Sequence, residues 1–134
     1  MRRQRIYVHR YDWTVIVYYN ADRYDVTPIM QELADAKVDG RSYNRALRNL
    51  AGGLPDTGLT YSNTNERISV IVLSHASSKA EFANTWFHEV FHSAVHIAEA
   101  NGIPCDGEAI AYIGGELARD MQPVAARLMC PDCD

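Results

Sequence analysis

Thr85-Trp86-Phe87-His88-Glu89-Val90-Phe91-His92 is the stretch on which the reading of this chain turns, because it ends in His-Glu-x-x-His. On a helix, positions four apart are offset by about 40° and lie about 6 Å apart along the axis, so the imidazoles of His88 and His92 can converge on one ion. A strand could not do this. Glu89 is turned by about 100° from His88, close enough to reach a water on that ion without being a ligand, which is the position of a general base. Ser78 and Glu81 form a capping-box pattern that opens the helix, and Gly102 and Pro104 end it near Asn101. Between them Phe82, Ala83, Trp86, Phe87, Val90, Phe91, Ala94, Val95, Ile97 and Ala98 make nearly every face apolar, which predicts a buried central helix. Two imidazoles and a carboxylate then fall in the core. Left unpartnered they would cost several kcal/mol, whereas one zinc ion with a water held by Glu89 would satisfy them. A hydrogen-bonded core cluster without metal is the plainer alternative.

Working outward, Gly58 to Ser62, the polar turn Asn63-Thr64-Asn65-Glu66 and the β-branched run Arg67 to Leu73 read as a hairpin leading into that helix. Ile6 to Asn20 reads as one long strand or a hairpin turning at Tyr11-Asp12. Thr27-Pro28 starts a short helix to about Lys37, and Ser42 caps another that carries Tyr43, Ala46, Leu47 and Leu50 and stops at Gly52-Gly53. A last helix runs from about Gly107 to Leu128, bent at Gly114-Gly115 or broken near Pro123. The order predicts a single α+β domain: residues 1–57 with strand and two helices, 58–128 with hairpin and two long helices, and a tail at 129–134.

Size and charge narrow the function classes. The chain has 134 residues, enough for one domain that needs no metal merely to fold. A formal charge of -4 argues against nucleic acid as partner. No run of apolar residues is long enough to span a membrane, and the polar-interrupted segment after Arg2, Arg3 and Arg5 lacks the pattern of a signal peptide. Three cysteines, Cys105, Cys130 and Cys133, favour reduced thiols, so a cytoplasmic location is expected. Cys130-Pro131-Asp132-Cys133 has the spacing of half a zinc knuckle, with no second half in the chain. The three arginines read as a solvated tail or, less simply, as a docking surface for an acidic partner.

A catalytic zinc takes three protein ligands and keeps a position for water. His96 lies on the right stripe but about 12 Å along the axis from His88, and no glycine turns the chain back between His92 and His96, so it is rejected as a ligand. It is left as a support of the ligands, a rim residue or a core histidine. Glu99 fails for the same reason. The next carboxylates follow the Gly102-Ile103-Pro104 break, in Gly107-Glu108-Ala109-Ile110-Ala111-Tyr112.

From Gly58 to Arg119 the order of hairpin, His-Glu-x-x-His helix and glutamate helix resembles the gluzincin-type zinc metallopeptidases, in particular the small minimal zincins. Arg67 to Ser74, followed by Asn84-Thr85 just before His88, adds to the similarity. The resemblance implies a zincin-like domain, with a small mostly antiparallel sheet packed on a central active-site helix and a C-terminal glutamate helix. It implies one zinc ion per chain, with Glu108 carried over as third ligand beside His88 and His92; Asp106 and Glu116 stand in reserve. Glu108 can also be read simply as a carboxylate favoured at a helix N-terminus. Tyr112 stands where some gluzincins place an aspartate that orients a zinc-bound histidine. In the resembling family a peptide lies beside the sheet as an extra strand, which would make the strand near Gly58 to Ser62 an edge.

The expected activity is peptide-bond hydrolysis, zinc lowering the pKa of bound water toward about 7 and Glu89 taking its proton. The oxyanion needs a further donor, for which Tyr112, Tyr61 and His96 are the candidates. The expected partner is a peptide or protein substrate. The alternative is a catalytically silent binding or regulatory module that keeps the zincin fold and its metal.

Overall fold

The structure, a computed structural model, describes residues 1–129; the Cys130-x-x-Cys133 pair lies outside the described residues. Strands β1 (Arg2–Val8), β2 (Trp13–Ala21), β3 (Gly58–Asn63) and β4 (Ile68–Ser74) form one mixed sheet in the order β1-β2-β4-β3. β1 and β2 are antiparallel, β2 and β4 parallel, and β3 and β4 antiparallel. Helices α1 (Val26–Asp35) and α2 (Gly40–Gly52) pack on one face, and α3 (Lys79–Ala100) and α4 (Gly107–Met129) on the other. The class is α+β, as expected, but the sheet is covered on both faces.

That double cover explains the first strand pair. Trp13 to Tyr19 is almost wholly buried because Trp13, Val15, Val17 and Tyr19 face α3 and α4 while Ile16 and Tyr18 face α1 and α2. The long-strand-or-hairpin ambiguity resolves as a hairpin. Its turn is a 3₁₀ segment at His9–Tyr11 followed by Asp12 at φ 48°. The arginines at the start are not a solvated tail: they lie in β1, and Arg3 Nε donates to Glu32 Oε1 on α1 at 2.8 Å.

The caps of the first two helices fall earlier than the sequence suggests. Asp22 and Asp25 satisfy each other's backbone N–H groups around a 3₁₀ turn that runs straight into α1, so Thr27 is already inside the helix. Asp39, not Ser42, caps α2, accepting from Ser42 N at 3.1 Å. The cap of α3 is where expected, with Ser78 Oγ accepting from Glu81 N at 3.1 Å. α4 continues through Pro123 without a break. Among the described residues no helix is long and apolar enough to cross a membrane.

One expectation about α3 fails. It buries Phe82, Thr85, Glu89, Val90, Ser93, Ala94, Ile97 and Ala98, but Phe87 is 73% exposed and Phe91 49% exposed. His88 and His92 are exposed as well. The helix is covered by the sheet beneath it and by α4 on one flank, and none of the described residues builds a layer over its outer side.

Candidate metal centre

The period-two alternation of β3 sets the floor of the site. Leu59, Tyr61 and Asn63 turn toward α1 and α2: Leu59 and Tyr61 join the apolar cluster there, and Asn63 Nδ2 donates to Ala36 O at 3.0 Å. Gly58, Thr60 and Ser62 turn toward α3, where they meet Glu89 and His96. Tyr61 is thereby removed from the oxyanion candidates, since it is on the wrong face of the sheet.

Glu89 is only 5% exposed. Its Oε2 accepts from Thr60 Oγ1 at 2.6 Å, and its other oxygen, Oε1, lies 3.9 Å from His88 Nε2. The carboxylate is held at this depth by a close approach of helix to strand. A Cβ on Gly58 would stand 2.9 Å from Glu89 Cγ and 3.0 Å from Thr85 Cγ2, so only glycine leaves room. Neither Thr60 nor Gly58 was singled out by sequence reasoning. The glycine opening a strand was the available signal.

His88 and His92 meet as the helix spacing predicts. Their Nε2 atoms are 3.0 Å apart and their rings stand edge to face, at 74°. Two nitrogens held about 2.0–2.1 Å from one tetrahedral ion would lie about 3.3 Å apart, so the pair needs little adjustment to share one. With Glu89 they offer ligand atoms that all lie within 4.8 Å of one another. Two imidazoles suit zinc as ligands, and the Glu89 carboxylate would stand within reach of a water on such an ion.

Glu108 is exposed at the head of α4 and is not among the side chains that converge here. The two reserve carboxylates are otherwise engaged: Asp106 Oδ1 accepts from Ala109 N at 2.9 Å as the cap of α4, and Glu116 pairs with Arg10 at 3.3 Å. Tyr112 is 63% exposed on α4. His96 is half-buried one turn beyond His92, with ring centroids 6.3 Å apart, and its Nδ1 lies 2.7 Å from Ser62 Oγ. Burial, and then the neighbouring His92, push its pKa below the usual imidazole value, against smaller opposite pulls from Glu99 and Glu89.

Beside the histidines an apolar groove of about 620 Å³ opens between α3 and the first turns of α4. Trp86, Phe87, Val90 and Phe91 form one wall and Ile110, Ala111, Gly114 and Gly115 the other. The helices come together below it, where a Cβ on Gly114 would be 3.9 Å from that of Ala94. Compared with protein-family models, curated proteins and solved structures, the chain matches none.

Proposed function

We propose that the protein is a zinc-dependent peptidase of the minimal zincin type, with His88 and His92 as metal ligands and Glu89 as general base. The observation that carries this reading is a nearly buried carboxylate beside two converging Nε2 atoms, held there by Thr60 and by the missing side chain of Gly58. Glu108 is proposed as the third ligand on the gluzincin resemblance alone, from across the groove that separates α3 from the start of α4. When bound, zinc would acidify a water and polarise the scissile carbonyl. Glu89 takes the proton of the attacking water and delivers it to the leaving amine, while Thr60 keeps one carboxylate oxygen fixed and the other free for the transfer. The edge position of β3 leaves one side of its backbone open to an extended peptide, and the aromatic-walled groove suits a bulky apolar side chain of that peptide.

The exposure of Phe87 and Phe91 favours a second reading, in which the groove holds a partner and no bond is broken. Glu89→Gln separates the two. The amide keeps the shape but accepts no proton, so zinc content should be retained while cleavage of a mixed peptide library and of unfolded proteins falls at least about 10²-fold. Removing the metal with a chelator should lower the melting temperature of both forms. Wild type that holds zinc, cleaves nothing and binds the same partner as Glu89→Gln would decide for the binding module.

A further inference from the structure

Behind His96 lies a line of hydrogen bonds that the proposed hydrolysis does not use. Trp13 Nε1 donates to Ser69 Oγ at 2.9 Å, Ser69 Oγ is 2.7 Å from Ser62 Oγ, and Ser62 Oγ is 2.7 Å from His96 Nδ1. We propose that this chain holds His96 as the neutral imidazole with its proton on Nε2, and that this Nε2–H donates to a neutral carbonyl oxygen of a bound peptide. The second half rests on the peptidase reading; the first does not.

The direction of the chain follows from counting protons. An indole N–H can only donate. Ser69 is fully buried, and among the described residues its hydroxyl hydrogen-bonds only with Trp13 and Ser62. Its own proton therefore goes to Ser62 Oγ, since leaving it unpaired in the core would cost about 1–3 kcal/mol. Ser62, having accepted from Ser69, is assigned to give its proton to His96 Nδ1, 2.7 Å away, rather than to the open pocket that it also lines. That nitrogen is then an acceptor, and in a neutral ring the proton is on Nε2. The reverse order would strand the proton of a serine that no water reaches.

Among the described residues no hydrogen bond is made at Nε2, while Nδ1 is occupied by Ser62. His96 lines an open pocket of about 330 Å³ with Ser62, Thr64 and Glu99, at the end of the edge strand β3 where a peptide added to the sheet would pass. The carboxylate of Glu99 in that pocket repels an anion, so the ligand chemistry that fits a single N–H donor there is a neutral amide carbonyl.

The test is a long-range proton–nitrogen correlation spectrum of full-length protein labelled at the imidazole nitrogens, with peptide-library kinetics alongside. The expected result is the Nε2–H tautomer for His96 in wild type and in Ser62→Thr, and a mixture of tautomers in Ser62→Ala and Ser69→Ala. Because a contact to a neutral carbonyl is made in the ground state and the transition state alike, the two alanine variants should raise KM about tenfold with kcat nearly unchanged, and Ser62→Thr should keep the wild-type KM. An Nδ1–H tautomer in wild type, or an unaltered tautomer in both alanine variants, overturns the chain even if peptides are cleaved. If the tautomer is as expected but nothing is cleaved, the peptidase reading and the carbonyl contact fall together while the chain stands. Unaltered KM in Ser69→Ala, with its tautomer scrambled, overturns the carbonyl contact alone.

Discussion

Gly58 and Glu89 are coupled at the scale of single atoms. Where β3 passes under α3 a methyl group at residue 58 would overlap Glu89 Cγ at 2.9 Å, and that atom leads directly to the carboxylate. Gly58→Ala should therefore displace Glu89 or lift the helix, lowering stability by about 1–3 kcal/mol. Because displacement of a catalytic group by about 1 Å can cost about 10²-fold in rate, the hydrolysis proposed above should fall far more than the stability change accounts for. Denaturant unfolding beside peptide cleavage checks both. Gly115→Ala is the contrasting change: nothing lies within 4 Å of its Cβ position inside α4, and replacing a helical glycine should raise stability by about 0.5–1 kcal/mol.

At the scale of elements, the two long helices decide what the site can hold. α3 brings its histidines together by its own spacing, whereas α4 packs on α3 through Ile110, Ile113 and Leu117 with Gly114 beside Ala94, and its Glu108 lies outside the cluster. Glu108→Gln is expected to lower zinc affinity at least about tenfold, an amide oxygen being a poorer ligand than a carboxylate. Glu116→Gln should lose only an exposed pairing with Arg10 and leave affinity within about twofold. Zinc titration of the two variants measures this. Equal affinities would remove Glu108 from the ligand set, and a larger loss at Glu116 would mean that the two helices bind in a register shifted by about two turns.

At the scale of the whole molecule, the two faces of the sheet hold separate apolar clusters. The face under α3 and α4 carries the candidate site; the face under α1 and α2 holds a second apolar cluster, tied at its edge by Glu32 Oε1, which accepts from Arg3 Nε at 2.8 Å and from Tyr18 OH at 2.7 Å. Burial, and then the bond to Glu32, push the Tyr18 phenol up to about 12 from its ordinary 10.0. Above pH 10 the unfolded chain releases this proton while the folded chain keeps it. Stability is thus full below pH 10 and is lost as pH rises toward 12. Tyr19 is raised by burial in the same sense, so the contribution of Tyr18 must be read by difference. Melting temperatures across this range should fall less steeply in Tyr18→Phe than in wild type.

The sequence by itself determined the features that depend on residues near in the chain. The meeting of His88 and His92 is a property of any helix, the Ser78 cap needs only three residues, and the β3–β4 hairpin follows from a β-branched run beside a polar turn. It also contained, unread, the glycine that admits Glu89. Only the tertiary structure decided which side of α3 is covered, because an all-round apolar helix has no preferred face until a sheet and a neighbouring helix are packed on it. It also decided the parallel pairing of β2 with β4, which joins strands separated by two helices and a third strand. The same pairing brings Trp13 and Ser69 into contact and so starts the hydrogen-bond chain to His96. Thr60 and Tyr61 show the limit of local reading most directly. They are adjacent in sequence and equally polar at their tips, yet one holds Glu89 and the other packs under α1 and α2, since strand register sends neighbours to opposite faces.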